Sequence, residues 1–201
     1  MDLVRVSAKN FVTPLSAKPL VVVLIGPGGV GKGTVSRALI ARDPNLWLST
    51  SWTTRPMRPS EVGDEYVFVS RESFEAAIAA DQFLEFAEFH GNLYGTPRPE
   101  VDGLDVLLEI EIQGAQQVRE HEPDATIILL VPPSLEELEH RLRTRGDDED
   151  HVLKRLDSSA SELSIGNELA DFVVTNHNVE QATSEIFSIL ESLRHSRRTV
   201  S

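Results

Sequence analysis

The chain has 201 residues, of which 40% are hydrophobic, and a formal net charge of −13. That length suits one domain with a sizeable core, the hydrophobic share excludes a disordered chain, and the acidity opposes non-specific nucleic-acid binding, which rests on neutralising phosphates. With no cysteine there are no disulfides or thiolate metal sites, no apolar run reaches the roughly eighteen residues of a membrane span, and Lys9, Asn10 and Lys18 interrupt any secretory leader, so a cytoplasmic protein is expected.

Residues 1–19, with Pro14 and Pro19, read as a mobile extension. Residues 20–25 are a β-branched apolar run and predict a buried strand. Gly26-Pro27-Gly28-Gly29-Val30-Gly31-Lys32-Gly33-Thr34 follows, with the G-x-x-x-x-G-K spacing of a phosphate-binding loop. Glycines let such a loop turn several N–H groups inward, the following helix adds its positive end, and Lys32 can act as a point charge on the outer phosphates. A hydroxyl usually follows the lysine directly. Here Gly33 intervenes, so Thr34 is the nearest hydroxyl for magnesium.

A helix is expected from Lys32 to about Arg42, ended by Asp43-Pro44-Asn45. Leu46 to Trp52 reads as a second strand, Thr53 to Asp64 as a basic, proline-bearing loop, and Tyr66 to Val69 as a short strand. Ser70 caps a helix over about 71–80, without a full capping box. Phe83 to Phe89 alternates with acids, and Gly91 to Pro99 reads as a turn-rich loop. Val106 to Ile112 predicts a strand with Glu109 and Glu111 on one face. Further elements are a helix near 113–121, a strand over Ala125–Val131, a helix from Ser134 with Leu135, Leu138 and Leu142 on one face, a helix over about 150–169, a strand over 171–175 and a helix over about 179–194.

Strands alternating with helices predict an α/β fold: a parallel sheet covered on both faces, with ligands at the carboxyl ends of its strands. The irregular stretch 53–100 is too long for a connection and implies an inserted lobe. Arginines cluster at Arg55 and Arg58 and again at Arg141, Arg143 and Arg145, as an acidic nucleotide-binding protein requires.

Several motifs in order then resemble guanylate kinases over about residues 20–194. They are the phosphate loop, Ser51 to Arg58 with Glu61, Gly63 and Tyr66-Val67-Phe68, Phe83 to Glu88, His90 to Thr96, Glu109 to Ala115, Arg141 to Gly146, and Lys154-Arg155-Leu156. The resemblance implies a three-layer P-loop kinase core (20–50, 101–132, 169–195), a mixed α/β GMP-binding lobe (51–100) and a helical lid (133–168). It implies transfer of a phosphoryl group from ATP to GMP with magnesium. ATP would lie on Gly26 to Thr34 and near Asn176. GMP would be held by Arg55, Arg58, Tyr66 and Tyr94 at its phosphate, and by Ser51, Glu85, Thr96 and Glu111 at its base. Lys32, Arg141, Arg145 and Arg155 would be catalytic, and Thr34 with Glu109 would hold the metal.

Glu85 would accept from guanine N1–H and the exocyclic amine, a donor pair that adenine lacks. Two departures stand out. Glu111 occupies a position where the family usually has Asp, which moves the carboxylate outward. The Arg58–Tyr66 and Arg145–Arg155 stretches are each one residue shorter than the family's. The alternatives are a relative that phosphorylates a ribose bisphosphate and a non-catalytic binding module. The base-reading residues argue against the first. The retained Lys32 and the arginines at 141, 145 and 155 argue against the second.

Overall fold

The computed structural model describes residues 19–57, 66–89, 91–98, 103–144 and 148–200. Of the extension expected over 1–19, residues 1–18 lie outside the described residues, as do Arg58 and Arg145 among the expected site residues.

In chain order the elements are β1 (Val21–Ile25), α1 (Lys32–Arg42), β2 (Leu46–Leu48), β3 (Trp52–Thr53), β4 (Val67–Phe68), α2 (Arg71–Ala79), β5 (Phe83–Phe89) and β6 (Asn92–Pro97). Then come β7 (Asp105–Glu109), α3 (Ile112–His121), β8 (Thr126–Val131), α4 (Leu135–Thr144), α5 (Glu149–Leu169), β9 (Phe172–Thr175) and α6 (Val179–Val200). Five strands form a parallel sheet in the order β2-β7-β1-β8-β9. The period of two in a strand sorts its side chains between two cores. Val22 and Leu24 face a layer that includes Val35 and Leu39 of α1 and Ile186 and Leu190 of α6. Val23 and Ile25 face Ala115 and Val118 of α3. This is the α/β architecture expected of alternating strands and helices, with both faces of the sheet covered.

The second sheet runs β4-β3-β6-β5, with β3 and β4 parallel and the other pairs antiparallel. It has its own small core, in which Phe74 stacks on Phe83 at 4.5 Å and Leu93 and Ala77 close the sides. Ser70 caps α2 by accepting from the Ser73 N–H at 3.1 Å.

Four local expectations are corrected. The strand expected over 46–52 divides: Ser49 N–H still donates to Leu107 O of the parallel sheet, whereas Ser51 O accepts from Val67 N–H of the second. The loop expected over 91–99 contains strand β6, because pairing with β3 and β5 outweighs its turn-like composition. Gly95 in that strand is needed for space, since a Cβ there would lie 2.8 Å from Phe74 and 3.0 Å from Phe83. The strand expected up to Ile112 ends at Glu109, and Glu111 is the extended residue that precedes α3. Finally, Leu135 is exposed while Leu138 and Leu142 are buried, because Leu135 stands at the first turn of α4.

At the amino ends of the strands the Arg194 guanidinium of α6 donates to Asp105 at 2.7 Å, to Asp43 at 2.7 Å and to Glu191 at 2.8 Å. Asp105 also accepts from the Leu20 N–H at 2.6 Å. Asp43 and Asp105 are 1% and 0% exposed, so removing the arginine strands two desolvated carboxylates. Arg194→Leu is therefore expected to lower the unfolding free energy by about 3–5 kcal/mol. Urea denaturation measures this, and a loss below about 1 kcal/mol would contradict the assignment.

Candidate active site

β1 ends at Ile25, Gly26 follows it directly and α1 begins at Lys32, so the glycine loop sits at the carboxyl edge of the sheet's central strand. Gly29 and Gly31 have φ of 92° and 101°, values that a side chain resists. Gly31 stands at the N-cap and offers no side-chain bond to the helix. The first-turn N–H groups of α1 have no intrahelical acceptor and face the site with the positive end of the helix. The loop is braced from within, because Val30 N–H donates to Pro27 O at 3.2 Å. It is braced from outside as well. Val30 O accepts from Asn176 Nδ2 at 2.8 Å and from Arg141 Nη1 at 3.2 Å.

Lys32 folds back over the loop. Its Nζ donates to Gly26 O at 2.6 Å and lies 4.0 Å from Glu111 Oε1. Arg141 has three further-reaching commitments: Nη1 on Val30, Nη2 donating to Asn176 O at 2.9 Å, and Nε donating to Glu137 at 2.8 Å. The Arg155 guanidinium lies against Gly28 in the space that a Cβ at this position would occupy, and its buried Nε has no hydrogen-bond partner among the described residues. Gly29 in turn receives Leu142 of α4, 2.6 Å from where its Cβ would be. Residues of both α4 and α5 therefore meet the loop.

Glu109 ends β7 with its carboxylate beside Gly33, Oε1 and Oε2 lying 3.5 and 3.7 Å from the position of an added Cβ. Burial pushes its pKa up, and the charge of Lys32 draws it back. Thr34 is exposed one residue further on. A hydroxyl and carboxylates near the loop are an all-oxygen donor set, which suits magnesium. Among the described residues no group of three acidic or histidine side chains could hold a metal, so a cation here would depend on phosphate oxygens for the rest of its shell.

The second sheet contributes a buried polar chain. Thr96 Oγ donates to Glu85 Oε1 at 2.6 Å, and the Ser51 and Thr96 hydroxyls are 3.3 Å apart. Glu85 is 5% exposed and Thr96 0%. Burial raises the Glu85 pKa above the usual carboxylate range, against the opposing pull of Thr96. Nearby, Tyr66 and Tyr94 meet edge to face at 6.0 Å, and Arg55 lies 5.7 Å from the Tyr66 ring and 5.5 Å from Phe68. Burial, with Glu109 and Glu111 close by, pushes the Tyr66 hydroxyl up to about 12, so it stays protonated and can donate. Tyr66 immediately precedes β4 of the second sheet, whereas Glu109 ends β7 of the first and Glu111 precedes α3.

The structure thus gathers Lys32, Arg141, Arg155 and Asn176 at the loop, and Ser51, Glu85 and Thr96 in one hydrogen-bonded chain. Arg55, Tyr66 and Tyr94 form a third group. Three participants were not anticipated from sequence. Glu137 holds Arg141 and was readable as an i,i+4 pair. Gln117 and Gly114 touch β5 from α3, and no local pattern announces a contact between distant elements.

A guanylate kinase family model matches residues 17–193. A guanylate kinase of Synechococcus sp. (strain JA-3-3Ab) is 50% identical over 184 residues, an alignment covering 88% of this chain and 84% of that protein. One of Thermosynechococcus vestitus (strain NIES-2133 / IAM M-273 / BP-1) is 51% identical over 168 residues, covering 80% and 87%. The crystal structure of guanylate kinase from Anaplasma phagocytophilum aligns with a TM-score of 0.73 at 32% identity, covering 89% of this chain and 87% of that one. Identity near one half along most of the sequence, carried on the same three-dimensional arrangement, means that the chain belongs to the guanylate kinase family.

Proposed function

We propose that the protein is a guanylate kinase, transferring the γ-phosphoryl group of ATP to GMP and yielding ADP and GDP. The observation that carries the reading is the buried Ser51–Thr96–Glu85 chain, whose carboxylate lies against Gly114 of α3. A carboxylate deprived of water needs donors, and guanine's N1–H and exocyclic amine supply two on one edge. Adenine offers no such pair, so its entry leaves Glu85 unpaired. Ser51 and Thr96 complete the base site, and Glu111 stands at its phosphate-loop side. Arg55 and Arg58 bind the GMP phosphate with their guanidinium forks, assisted by the hydroxyls of Tyr66 and Tyr94.

Residues 26–34 cradle the ATP phosphates through backbone N–H groups, and Asn176 lies at the adenine end. To serve the transferring group, Lys32 exchanges Gly26 O for phosphate oxygens. Arg141, Arg145 and Arg155 spread positive charge over the oxygens of the phosphoryl group in transit. Attack by the GMP phosphate is in-line, with no covalent enzyme intermediate and no protein nucleophile, so catalysis is positioning and charge. Thr34 and Glu109 would hold magnesium, which when bound neutralises charge on the ATP phosphates. Residues 51–100 act as the GMP-binding lobe and 133–168 as a lid that excludes water, on a core of 20–50, 101–132 and 169–195. No described helix is long and apolar enough to cross a membrane, and we place the enzyme in the cytoplasm, acting on small molecules rather than on nucleic acid or membranes.

Transfer from Mg-ATP to GMP, with AMP, UMP and ribose 1,5-bisphosphate in parallel, tests the activity. Fast, GMP-selective ADP release is expected. Turnover with ribose bisphosphate alone, or with no acceptor, would replace the reading.

Lys32→Met should cut kcat by roughly 100- to 1,000-fold with an unchanged circular dichroism spectrum. Unaltered turnover would remove Lys32 from the mechanism. Glu85→Gln should reduce kcat/KM for GMP about 10- to 100-fold while leaving KM for ATP alone. Its effect on stability has the opposite sign. A carboxyl whose folded pKa is raised favours the native state below its unfolded pKa, and that contribution is lost as pH rises through the folded value. The Gln variant should accordingly melt at or above the wild-type temperature near pH 8, with the difference shrinking below the ordinary carboxylate range. A destabilised variant at pH 8 would contradict the burial argument.

A further inference from the structure

Glu85 does not hold its position alone. Gly114, in the first turns of α3, lies against its carboxylate. An added Cβ at 114 would be 2.6 Å from Glu85 Oε2 and 3.0 Å from its Cδ, with Ile110 Cδ1 closing another side at 3.3 Å. Gly114 is not among the glycines with positive φ, so no backbone demand explains it. Within a helix, glycine is a less favourable choice than alanine. What glycine supplies here is room for the carboxylate. One turn further along α3, Gln117 Nε2 donates to Phe86 O at 2.8 Å, and its Oε1 accepts from Phe86 N–H at 3.3 Å. β5 is the outer strand of its sheet, so the outward backbone groups of Phe86 have no neighbouring strand. The Gln117 amide takes that strand's place, at the residue next to Glu85.

We propose that the α3 face formed by Gly114 and Gln117 positions Glu85 for purine recognition, Gly114 setting where the carboxylate stops and Gln117 holding the strand that carries it. Both are positioning residues, acting through Glu85. This rests on the guanine-reading role given to Glu85 above. The cheapest response to a methyl group at 114 is movement of the carboxylate end, because the alternatives are the α3 backbone and the packed core. Recognition is then lost while the fold is kept.

The test compares wild type, Gly114→Ala, Gln117→Ala and Glu85→Gln in steady-state kinetics with GMP, IMP and ATP, alongside thermal melts. IMP lacks the exocyclic amine, so the ratio of kcat/KM for GMP over IMP reports the carboxylate's placement. Gly114→Ala should raise KM for GMP more than 10-fold and bring the GMP/IMP ratio toward that of Glu85→Gln, with KM for ATP within 2-fold and melting unchanged or higher. Gln117→Ala adds no volume and should lower the ratio several-fold, giving the same readout should the alanine at 114 prevent folding. Folded variants with a wild-type ratio, or an equal loss toward GMP and ATP, would overturn the positioning role. If Glu85→Gln itself leaves the ratio untouched, the base-reading assignment fails first, and this proposal with it.

Discussion

Arg194 ties together segments that the sequence keeps far apart. Its guanidinium reaches Asp43 after α1 and Asp105 at the start of β7, while Asp105 takes the Leu20 N–H just before β1. Two helices and two central strands of the parallel sheet are thereby set in one register at their amino ends. Such a buried cluster gains little over an apolar substitute, since the desolvation of each charge offsets much of the attraction. Its value is geometric. With the amino ends pinned, the carboxyl ends of β1 and β7 fall side by side, which is where the glycine loop and Glu109 emerge.

At the opposite edge, backbone carbonyls hold the cations alongside the Lys32–Glu111 and Arg141–Glu137 ion pairs. Gly26 O takes Lys32, and Val30 O takes Asn176 and Arg141. Each of these bonds holds a polar or charged group at the glycine loop; for Lys32 and Arg141, though not for the neutral Asn176 amide, the phosphate site proposed above would exchange one charge-assisted bond for another. Arg155 differs. Its Nε is buried without a partner among the described residues and its guanidinium rests on Gly28, so the proposed phosphate site would give that group a partner. The loop thus lies within reach of Lys32, Arg141 and Arg155.

Helix α3 touches both the Lys32 side and the Glu85 side of the candidate site. Its N-terminus follows Glu111, which neighbours Lys32, and its next turns carry Gly114 and Gln117 against β5. Tyr66 feels both Glu109 and Glu111 across the same gap. The base and phosphate ends proposed for the site therefore share one helix.

The strands of the parallel sheet, the glycine loop and most helix limits were legible in the sequence because they follow from near neighbours. β-branched runs make buried strands, Gly-Gly-Val-Gly-Lys makes a phosphate loop, and apolar spacing makes α1, α3 and α6. The loop spacing also put Lys32 in a candidate role, and the resemblance to guanylate kinases did the same for Glu85 and Arg141. Strand β6 was not legible, since Asn92-Leu93-Tyr94-Gly95-Thr96-Pro97 has turn composition and becomes a strand only by pairing with β3 and β5. Nor was the departure of Glu111 from the strand, which depends on where α3 packs. Tertiary structure alone decided that Asn176 meets Val30 across 146 residues of chain, that Gln117 grips Phe86, and that Gly114 leaves room for Glu85. Local patterning encodes which face of an element is buried. Which side chains then meet is set by the mutual packing of elements distant in the chain, and that information resides in no single segment.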